Sequence, residues 1–233
     1  MILPYHQEKN LIIYCGDCRD ILPELNIMDL LLTDPPQGIT ENSNRRLHAY
    51  KNPEKSKGRI GWSGFTEATN YGDTTWDFKP MDLKAWELCR SKTNNQIVWG
   101  YNHLQLVLGK APSILVWDKK CKNNWFDTFS DCEFAYCSKV MPDRLYRQLW
   151  MGALREGRKV KREHPTQKPI ELMLWCLSFF PDVTTVVDPY MGIGTTLLAC
   201  KEINKPCFGI EAVEKYCEIA ANRCRQSVME LNL

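Results

Sequence analysis

The chain has 233 residues, a net charge of +2, and a composition that is 44% hydrophobic and 25% charged. These values are ordinary for a globular protein with one large domain, and so small a net charge does not by itself indicate a nucleic-acid partner. No apolar run approaches the roughly 20 residues that span a bilayer, and no secretory leader is visible, so we expect a cytoplasmic protein.

The eleven cysteines are expected to remain thiols in a reducing compartment rather than form a disulfide framework. Cys15-x-x-Cys18 is the only close pair of its type, and no second pair completes a zinc site. Burial as small apolar side chains is therefore preferred over a zinc or redox role, and no metal site is predicted.

The first elements in the chain are strands at residues 10–14 and 29–33, separated by a short helix at 19–25. The second strand is apolar enough for the interior of a parallel sheet, and it ends in Asp34-Pro35-Pro36-Gln37. Ligands of open α/β sheets gather outside the carboxyl ends of strands, so this tetrapeptide is a candidate for chemistry.

Residues 38–79 are polar, with scattered aromatic side chains and no sustained period. A segment this long without secondary structure is usually functional or partly disordered. Basic and aromatic residues together suit phosphates and exposed bases, although a solvated insertion is the simpler interpretation. The candidate nucleic-acid contacts here are Arg45, Arg46, Lys51, Arg59 and Trp62.

The middle of the chain predicts helices at 81–92 and 101–108 and strands at 96–100, 113–117 and 134–137. A second basic stretch follows within residues 143–162, which is either a solvated loop or another nucleic-acid contact. Its candidate contacts are Arg155, Arg158 and Lys159. The last third predicts helices at 170–180, 197–201 and 213–228 and strands at 183–187 and 207–210.

The segment from Asp188 to Thr196 reads as a glycine-bearing turn between a strand and a helix. Gly192 and Gly194 allow positive φ and close approach of a ligand, and the helix N-terminus behind them offers free N–H groups. Glu211 ends the next strand, where a carboxylate can bind ribose hydroxyls. The turn lacks the third glycine of a dinucleotide fingerprint and the lysine of a P-loop, so a nucleoside without phosphates, such as S-adenosylmethionine, is indicated.

Asp-Pro-Tyr-Met-Gly-Ile-Gly-Thr-Thr, residues 188–196, resembles the Asp-Pro-Phe-x-Gly-Ser-Gly-Thr-Thr cofactor motif of amino-methyltransferases that modify DNA. Further features agree with the β-class of that family, in which the catalytic half precedes the cofactor half, and the resemblance covers residues 16–223. In chain order the features are Asp34-Pro35-Pro36, Trp117-Asp118-Lys119, His164-Pro165-Thr166-Gln167-Lys168-Pro169, residues 188–196 and Glu211.

The resemblance implies an α/β fold: a single Rossmann-like methyltransferase domain over residues 1–233, with a mostly parallel seven-stranded sheet, helices on both faces, and DNA-contacting insertions at 38–79 and 143–162. It implies S-adenosyl-L-methionine as cofactor, double-stranded DNA as partner, and a target base flipped out of the duplex. Whether the protein is a monomer or a homodimer stays open.

The resemblance also assigns residues. The catalytic set is Asp34, Pro35, Pro36 and Gln37. Asp17 is expected near the cofactor adenine, Lys168 near its methionine end, and Glu211 on the ribose. The full cofactor set is Asp17, Cys18, Asp34, Lys168, Asp188, Tyr190, Gly192, Gly194, Thr195, Thr196 and Glu211.

The chemistry of the tetrapeptide follows from the target. The lone pair of an exocyclic base amine is delocalised into the ring, so the amine is a poor nucleophile. Asp34 and the carbonyl of Pro35, whose direction is held by the fixed φ of proline, can accept its two N–H bonds and free the lone pair. Alignment with an activated methyl group then suffices, without a metal. We therefore expect Gly192 and Gly194 to share one cavity with Asp34 and Pro35.

Gln37 departs from the family pattern, which has an aromatic residue there, usually Tyr, stacking on the flipped base. Such stacking contributes about 1–3 kcal/mol, so its loss could cost roughly tenfold in productive binding. Another aromatic side chain could replace it, the base, nucleic acid or cofactor could be unusual, or the protein could be weakly active or inactive.

Adenine N6 is the favoured target over cytosine N4, because Asp rather than Ser precedes the two prolines, which is a family tendency. The alternatives are a cofactor- and DNA-binding protein without turnover, and methylation of cytosine N4, RNA or a protein amide.

Overall fold

The computed structural model describes residues 2–39, 79–121, 130–151, 154–157 and 167–229. The predicted elements in these ranges are present, with ends that agree within three residues. The strands are β1 His6–Gln7, β2 Leu11–Cys15, β3 Met28–Thr33, β4 Thr93–Trp99, β5 Ser113–Asp118, β6 Cys132–Cys137, β7 Arg144–Arg147, β8 Trp150–Met151, β9 Leu154–Arg155, β10 Val186–Asp188 and β11 Cys207–Glu211. The helices are α1 Cys18–Ile21, followed by a 3₁₀ turn at Leu22–Glu24, then α2 Leu83–Ser91, α3 Tyr101–Leu108, α4 Ile170–Ser178, α5 Thr195–Glu202 and α6 Glu214–Met229.

Nine strands of the described residues form one sheet in the order β1-β2-β11-β10-β3-β4-β6-β5-β7. Pairing is parallel except where β1 meets β2 and where β6 meets β4 and β5. The prediction of seven strands was wrong in number, because two short edge strands, β1 and β7, extend the seven central ones. Two-residue β1 carries no period, and β7 is an exposed edge strand within the stretch predicted as a loop.

Helices cover both faces of the sheet, as predicted. Side chains of α4, α5 and α6 pack in one hydrophobic cluster, and those of α1, α2 and α3 pack in another. The strand β3 serves both, because successive side chains point to opposite faces: Leu30 and Leu32 lie in the first cluster and Leu31 in the second. A strand that is buried on both sides is mostly apolar, and residues 28–33 carry four apolar side chains, with Asp29 and Thr33 as the polar exceptions.

Asp29 fixes the position of β3 beside β10. Its carboxylate accepts hydrogen bonds from the backbone N–H of Thr184 at 2.8 Å and of Thr185 at 3.0 Å, just before β10 begins. The register of this parallel pair, with Leu31 opposite Val187, places the residues that follow the two strands side by side.

The cysteines are consistent with the predicted thiol state. None of the eleven, all of which lie in the described ranges, forms a disulfide. Cys18 is buried and Cys15 is exposed. In the ranges that the structure describes, no helix has the length and apolar character to cross a membrane.

Candidate active site

A cavity of about 480 Å³ lies at the carboxyl ends of four neighbouring strands, β2, β11, β10 and β3. Ligands of open α/β sheets bind at this edge, and the volume falls within the roughly 300–1,000 Å³ of small-molecule sites. The charged lining residues are five acidic and three basic: Asp17, Asp34, Asp82, Asp188 and Glu211, with Arg19, Lys79 and Lys168. The excess of carboxylates suits a ligand that carries a positive charge and hydroxyl donors.

The glycine turn that follows β10 contributes Gly192 to the cavity. Gly192 has a φ of 52°, and a Cβ placed there would meet no atom within 4 Å, so its missing side chain leaves open space. Gly194 has a φ of 76°, but it faces α6: a Cβ there would lie 3.0 Å from the Cβ of Ala220. Gly192 therefore lines the cavity as predicted, whereas Gly194 serves the packing of the C-terminal helix.

The turn packs tightly on β11. A Cβ at Gly209 would lie 2.4 Å from the Sδ of Met191 and 2.8 Å from the Cδ1 of Leu197, so only glycine allows this approach. Close packing of the turn and of α5 against the sheet fixes the backbone of the turn, so that the space beside Gly192 stays open.

Glu211, at the end of β11, is tied to the same turn. Its carboxylate accepts hydrogen bonds from the backbone N–H of Gly192 at 3.0 Å and of Val213 at 2.8 Å. Burial raises the pKa of Glu211, and these N–H groups oppose that rise. Since each carboxylate oxygen has a second lone pair, Glu211 can still accept from ribose hydroxyls in the cavity.

The end of β2 closes the same side of the cavity. Asp17 caps α1 by accepting from the backbone N–H of Arg19 at 2.8 Å, and the guanidinium of Arg19 lowers the pKa of its carboxyl. The Cys18 thiol is hydrogen-bonded with the Tyr190 side chain. Three predicted cofactor residues, Asp17, Cys18 and Tyr190, are thus brought together from two strand ends.

Asp188 lies under the turn, almost completely buried, with 3% of its surface exposed. It accepts hydrogen bonds from the Thr33 hydroxyl at 2.7 Å and the Tyr190 N–H at 3.1 Å, and its carboxyl also bonds with Thr196. Burial raises the pKa of Asp188 to about 6, and Asp34 adds to the rise. Thr33 thus links the ends of β3 and β10, a role that no motif in the sequence indicates.

The raised pKa of Asp188 predicts a pH-dependent stability. Between its ordinary value of 3.8 and about 6, the folded protein holds a proton that the unfolded chain has released. Stability therefore falls as pH rises through this window, by up to about 3 kcal/mol from this group. Asp188→Asn keeps an oxygen acceptor without the charge. We therefore expect the difference in the free energy of unfolding between this variant and wild type, measured by chemical denaturation, to be roughly 1 kcal/mol more favourable to the variant at pH 8 than at pH 5. Asp20→Asn, at an exposed site on α1, is the control, and equal gains at the two pH values would contradict the prediction.

Asp34 stands at the end of β3, beside the turn. Its Oδ1 accepts a hydrogen bond from the Nε2 of Gln37 at 3.0 Å, and its Oδ2 pairs with the ammonium of Lys168. Burial raises the pKa of Asp34, while Lys168 counters the effect. Asp34 and Pro36 line the cavity together with Gly192, whereas Gly194 and Pro35, which were predicted to share it, are not among its lining residues. Pro35 is buried between them and Gln37 lies beyond them.

The side chain of Gln37 packs directly on the backbone of Gly100. A Cβ at that glycine would be 2.4 Å from both the Cδ and the Nε2 of Gln37. Gly100 begins α3 with a φ of 81°. The glutamine therefore turns back towards Asp34 over the end of β4.

The segment that carries Lys168 is anchored by Trp150. The indole Nε1 donates to the carbonyl of Gln167 at 2.9 Å, and the backbone N–H of Trp150 donates to the carbonyl of Lys119 at 2.9 Å. The guanidinium carbon of Arg155 lies 4.7 Å from the Trp150 ring centroid. Arg155 is thus placed on the β8–β9 hairpin next to the site. The other predicted nucleic-acid contacts, Arg45, Arg46, Lys51, Arg59, Trp62, Arg158 and Lys159, lie outside the described residues.

The remaining predicted cofactor residues, Thr195 and Thr196, are buried at the start of α5 and line the cavity. A doubly wound sheet with a nucleoside-sized cavity beside an acidic acceptor defines a protein of the Rossmann-like methyltransferase class. The open space at Gly192, the acceptor Glu211 and the acidic lining fit S-adenosylmethionine, which is cationic at sulfur and carries ribose hydroxyls.

Comparisons with known proteins agree with this class. A family model described as DNA methylase matches residues 37–222. The type II methyltransferase M2.MboI of Moraxella bovis is 25% identical, over 95% of this chain and 91% of the relative. The M1.HpyAVI–SAM complex is 21% identical with a TM-score of 0.55, covering 91% of this chain and 99% of that one. The cytosine-N4-specific PvuII DNA methyltransferase is 13% identical with a TM-score of 0.56, covering 94% and 88%.

The chain belongs to the DNA methylase family and is an S-adenosylmethionine-dependent DNA amino-methyltransferase. The two structural likenesses support the fold. The matched range begins at Gln37, so Asp34 and its two prolines lie immediately before it.

Proposed function

We propose that this protein methylates the exocyclic amine of a specific base in double-stranded DNA, with adenine N6 as the target. The observation that carries the proposal is the shared cavity, which brings Asp34 next to the glycine turn although the two are more than 150 residues apart. The chain is proposed to be one methyltransferase domain in which residues 38–79 and 143–162 contact DNA.

The proposed role of Asp34 is to accept an N–H of the target amine, and the carbonyl of Pro35 is proposed to accept the other. Two acceptors draw the nitrogen towards tetrahedral geometry and make its lone pair available. S-adenosylmethionine supplies a methyl group already activated by the positive charge on sulfur. The protein then needs to align the amine with that methyl and to exclude water.

Gly192 and Glu211, which are hydrogen-bonded to each other, are proposed to hold the cofactor together with Asp17 and Cys18 at the end of β2. Glu211 is proposed to bind the ribose and Asp17 to lie near the adenine ring. A target base is reachable at Asp34 only when it leaves the helical stack, so base flipping is part of the proposal.

The test is to incubate unmethylated duplex DNA with the protein and labelled S-adenosylmethionine, digest the DNA, and analyse the nucleosides by mass spectrometry. We expect N6-methyldeoxyadenosine. N4-methyldeoxycytidine would establish the second candidate, whose support is the fold shared with a cytosine-N4-specific enzyme. Label in RNA or protein alone, or no label in any substrate, would overturn the proposal.

A further inference from the structure

Four charged side chains form a continuous line that ends at Asp34. Lys119, just after β5, donates from Nζ to the Oε1 of Glu133 on β6 at 2.8 Å. The Oε2 of Glu133 lies 3.2 Å from the Nζ of Lys168, which also pairs with the Oδ2 of Asp34. Positive and negative groups therefore alternate along the line, and Lys168 is shared between two carboxylates.

Each of the two ammonium groups lies near the face of an indole ring. The Nζ of Lys168 is 5.8 Å from the ring centroid of Trp99, and that of Lys119 is 5.9 Å from Trp117. The two rings pack edge to face at 6.4 Å, and only 7% of the Lys168 side chain is exposed. Both cations are thus placed where a ring face attracts them.

Lys168 keeps its proton in this environment. Burial alone would lower the pKa of its ammonium, but Asp34 and Glu133 outweigh burial and raise it. Because one ammonium serves two carboxylates, Lys168 does not by itself neutralise both Asp34 and Glu133. The target nitrogen becomes more positive as it accepts a methyl group, so negative charge that remains on the Asp34 carboxylate favours the reaction.

We propose that Glu133 is a positioning residue for methyl transfer, which draws the Lys168 ammonium partly away from Asp34 and so preserves the acceptor strength of that carboxylate. Lys119 holds Glu133 in the orientation that this requires. The inference rests on the proposed function, because it takes Asp34 as the acceptor of the target amine.

The direct test is Glu133→Gln. Asp131→Asn is its control, because it removes one negative charge from the same part of the chain. The Asp131 side chain is 74% exposed and pairs with Lys120, outside the line. Among the residues that the structure describes, the charged groups that face Asp34 are Lys168, Glu133 and, from β10, Asp188. Rates should be measured against pH with the full chain, DNA and cofactor at saturation.

In Glu133→Gln, Lys168 pairs with Asp34 alone. The full charge of Lys168 then weakens Asp34 as a hydrogen-bond acceptor, so kcat at pH 8 should fall roughly three- to tenfold. The loss of a negative neighbour lowers the pKa of Asp34, so the acid limb of the kcat profile should move down by roughly one pH unit. Asp131→Asn should change neither kcat at pH 8 nor the position of the acid limb. A fall in kcat without a shifted limb, or the same shift in Asp131→Asn, would overturn the proposal.

Lys119→Gln gives a second, opposite test. Glu133 then loses one partner and holds Lys168 more strongly, so the acid limb should move to higher pH. Shifts in the same direction for Lys119→Gln and Glu133→Gln would contradict the sharing of Lys168.

A readout that needs no activity separates this inference from the proposed function. The pKa of the Asp34 carboxyl can be followed by ¹³C NMR in the wild type and in both variants without DNA. If no substrate is methylated but this pKa moves as expected, the proposed function fails and the coupling stands. If methylation is observed and the Asp34 pKa is unchanged by Glu133→Gln, the coupling fails alone.

Discussion

Replacing Asp34 with alanine is expected to lower the rate of methyl transfer by at least about a hundredfold, with a much smaller change in cofactor affinity. The variant removes the proposed acceptor for the target amine at the end of β3. Lys168 retains Glu133 as a partner 3.2 Å away, so no buried cation is left alone and the fold should persist. Single-turnover transfer of a labelled methyl group, together with cofactor binding by calorimetry, separates the two effects.

The matched control for this variant is Glu87→Ala. Glu87 is a carboxylate on the exposed side of α2 and does not line the cavity. It should leave both the rate and the affinity unchanged. An Asp34→Ala enzyme with nearly normal turnover would show that another group accepts the amine.

Replacing Gln37 with tyrosine is expected to raise kcat/KM for DNA by roughly 5- to 150-fold, which corresponds to about 1–3 kcal/mol of base–aromatic stacking. The variant also removes the amide that donates to Asp34 Oδ1 at 3.0 Å, the oxygen that the target amine can use. The measurement is the initial rate of methylation at several DNA concentrations.

Gln37→Leu separates the two contributions, because it removes the amide without adding a ring. If tyrosine and leucine give the same rate, stacking is not what limits the wild type. If the wild type transfers no methyl group and Gln37→Tyr does, the protein as it stands is better described as a cofactor- and DNA-binding member of its family.

The fold was accessible from sequence where the signal is local. Residues 30–32 are a continuous apolar run in a mostly apolar strand, and the turn after β10 combines two glycines with a strand before and a helix after, so their types and approximate ends follow from short stretches. The edge strands β1 and β7 were not accessible: one has only two residues, and the other is exposed, so neither shows the period of a buried strand.

The residues of the candidate site likewise fall into those that the sequence indicates and those that only the structure reveals. Asp34, Lys168, Asp188 and Glu211 were identified because each stands in a recognisable motif or at a strand end. Glu133 stands in no such motif. Its place near Lys168 follows from the pairing of β5 and β6, which sets it opposite Trp117. The place of Gln37 on Gly100 is a similar case, because it depends on the approach of β3 and β4.

The sequence by itself determined which chemical groups stand at the strand ends: a carboxylate beside two prolines, a turn with two glycines, and a second carboxylate at the end of β11. The tertiary structure alone decided that β10 and β11 enter the sheet between β2 and β3, which sets the turn beside Asp34. It also decided that one lysine is shared by two carboxylates. Contacts of this kind depend on strand order and burial over the whole sheet, and no short segment encodes them.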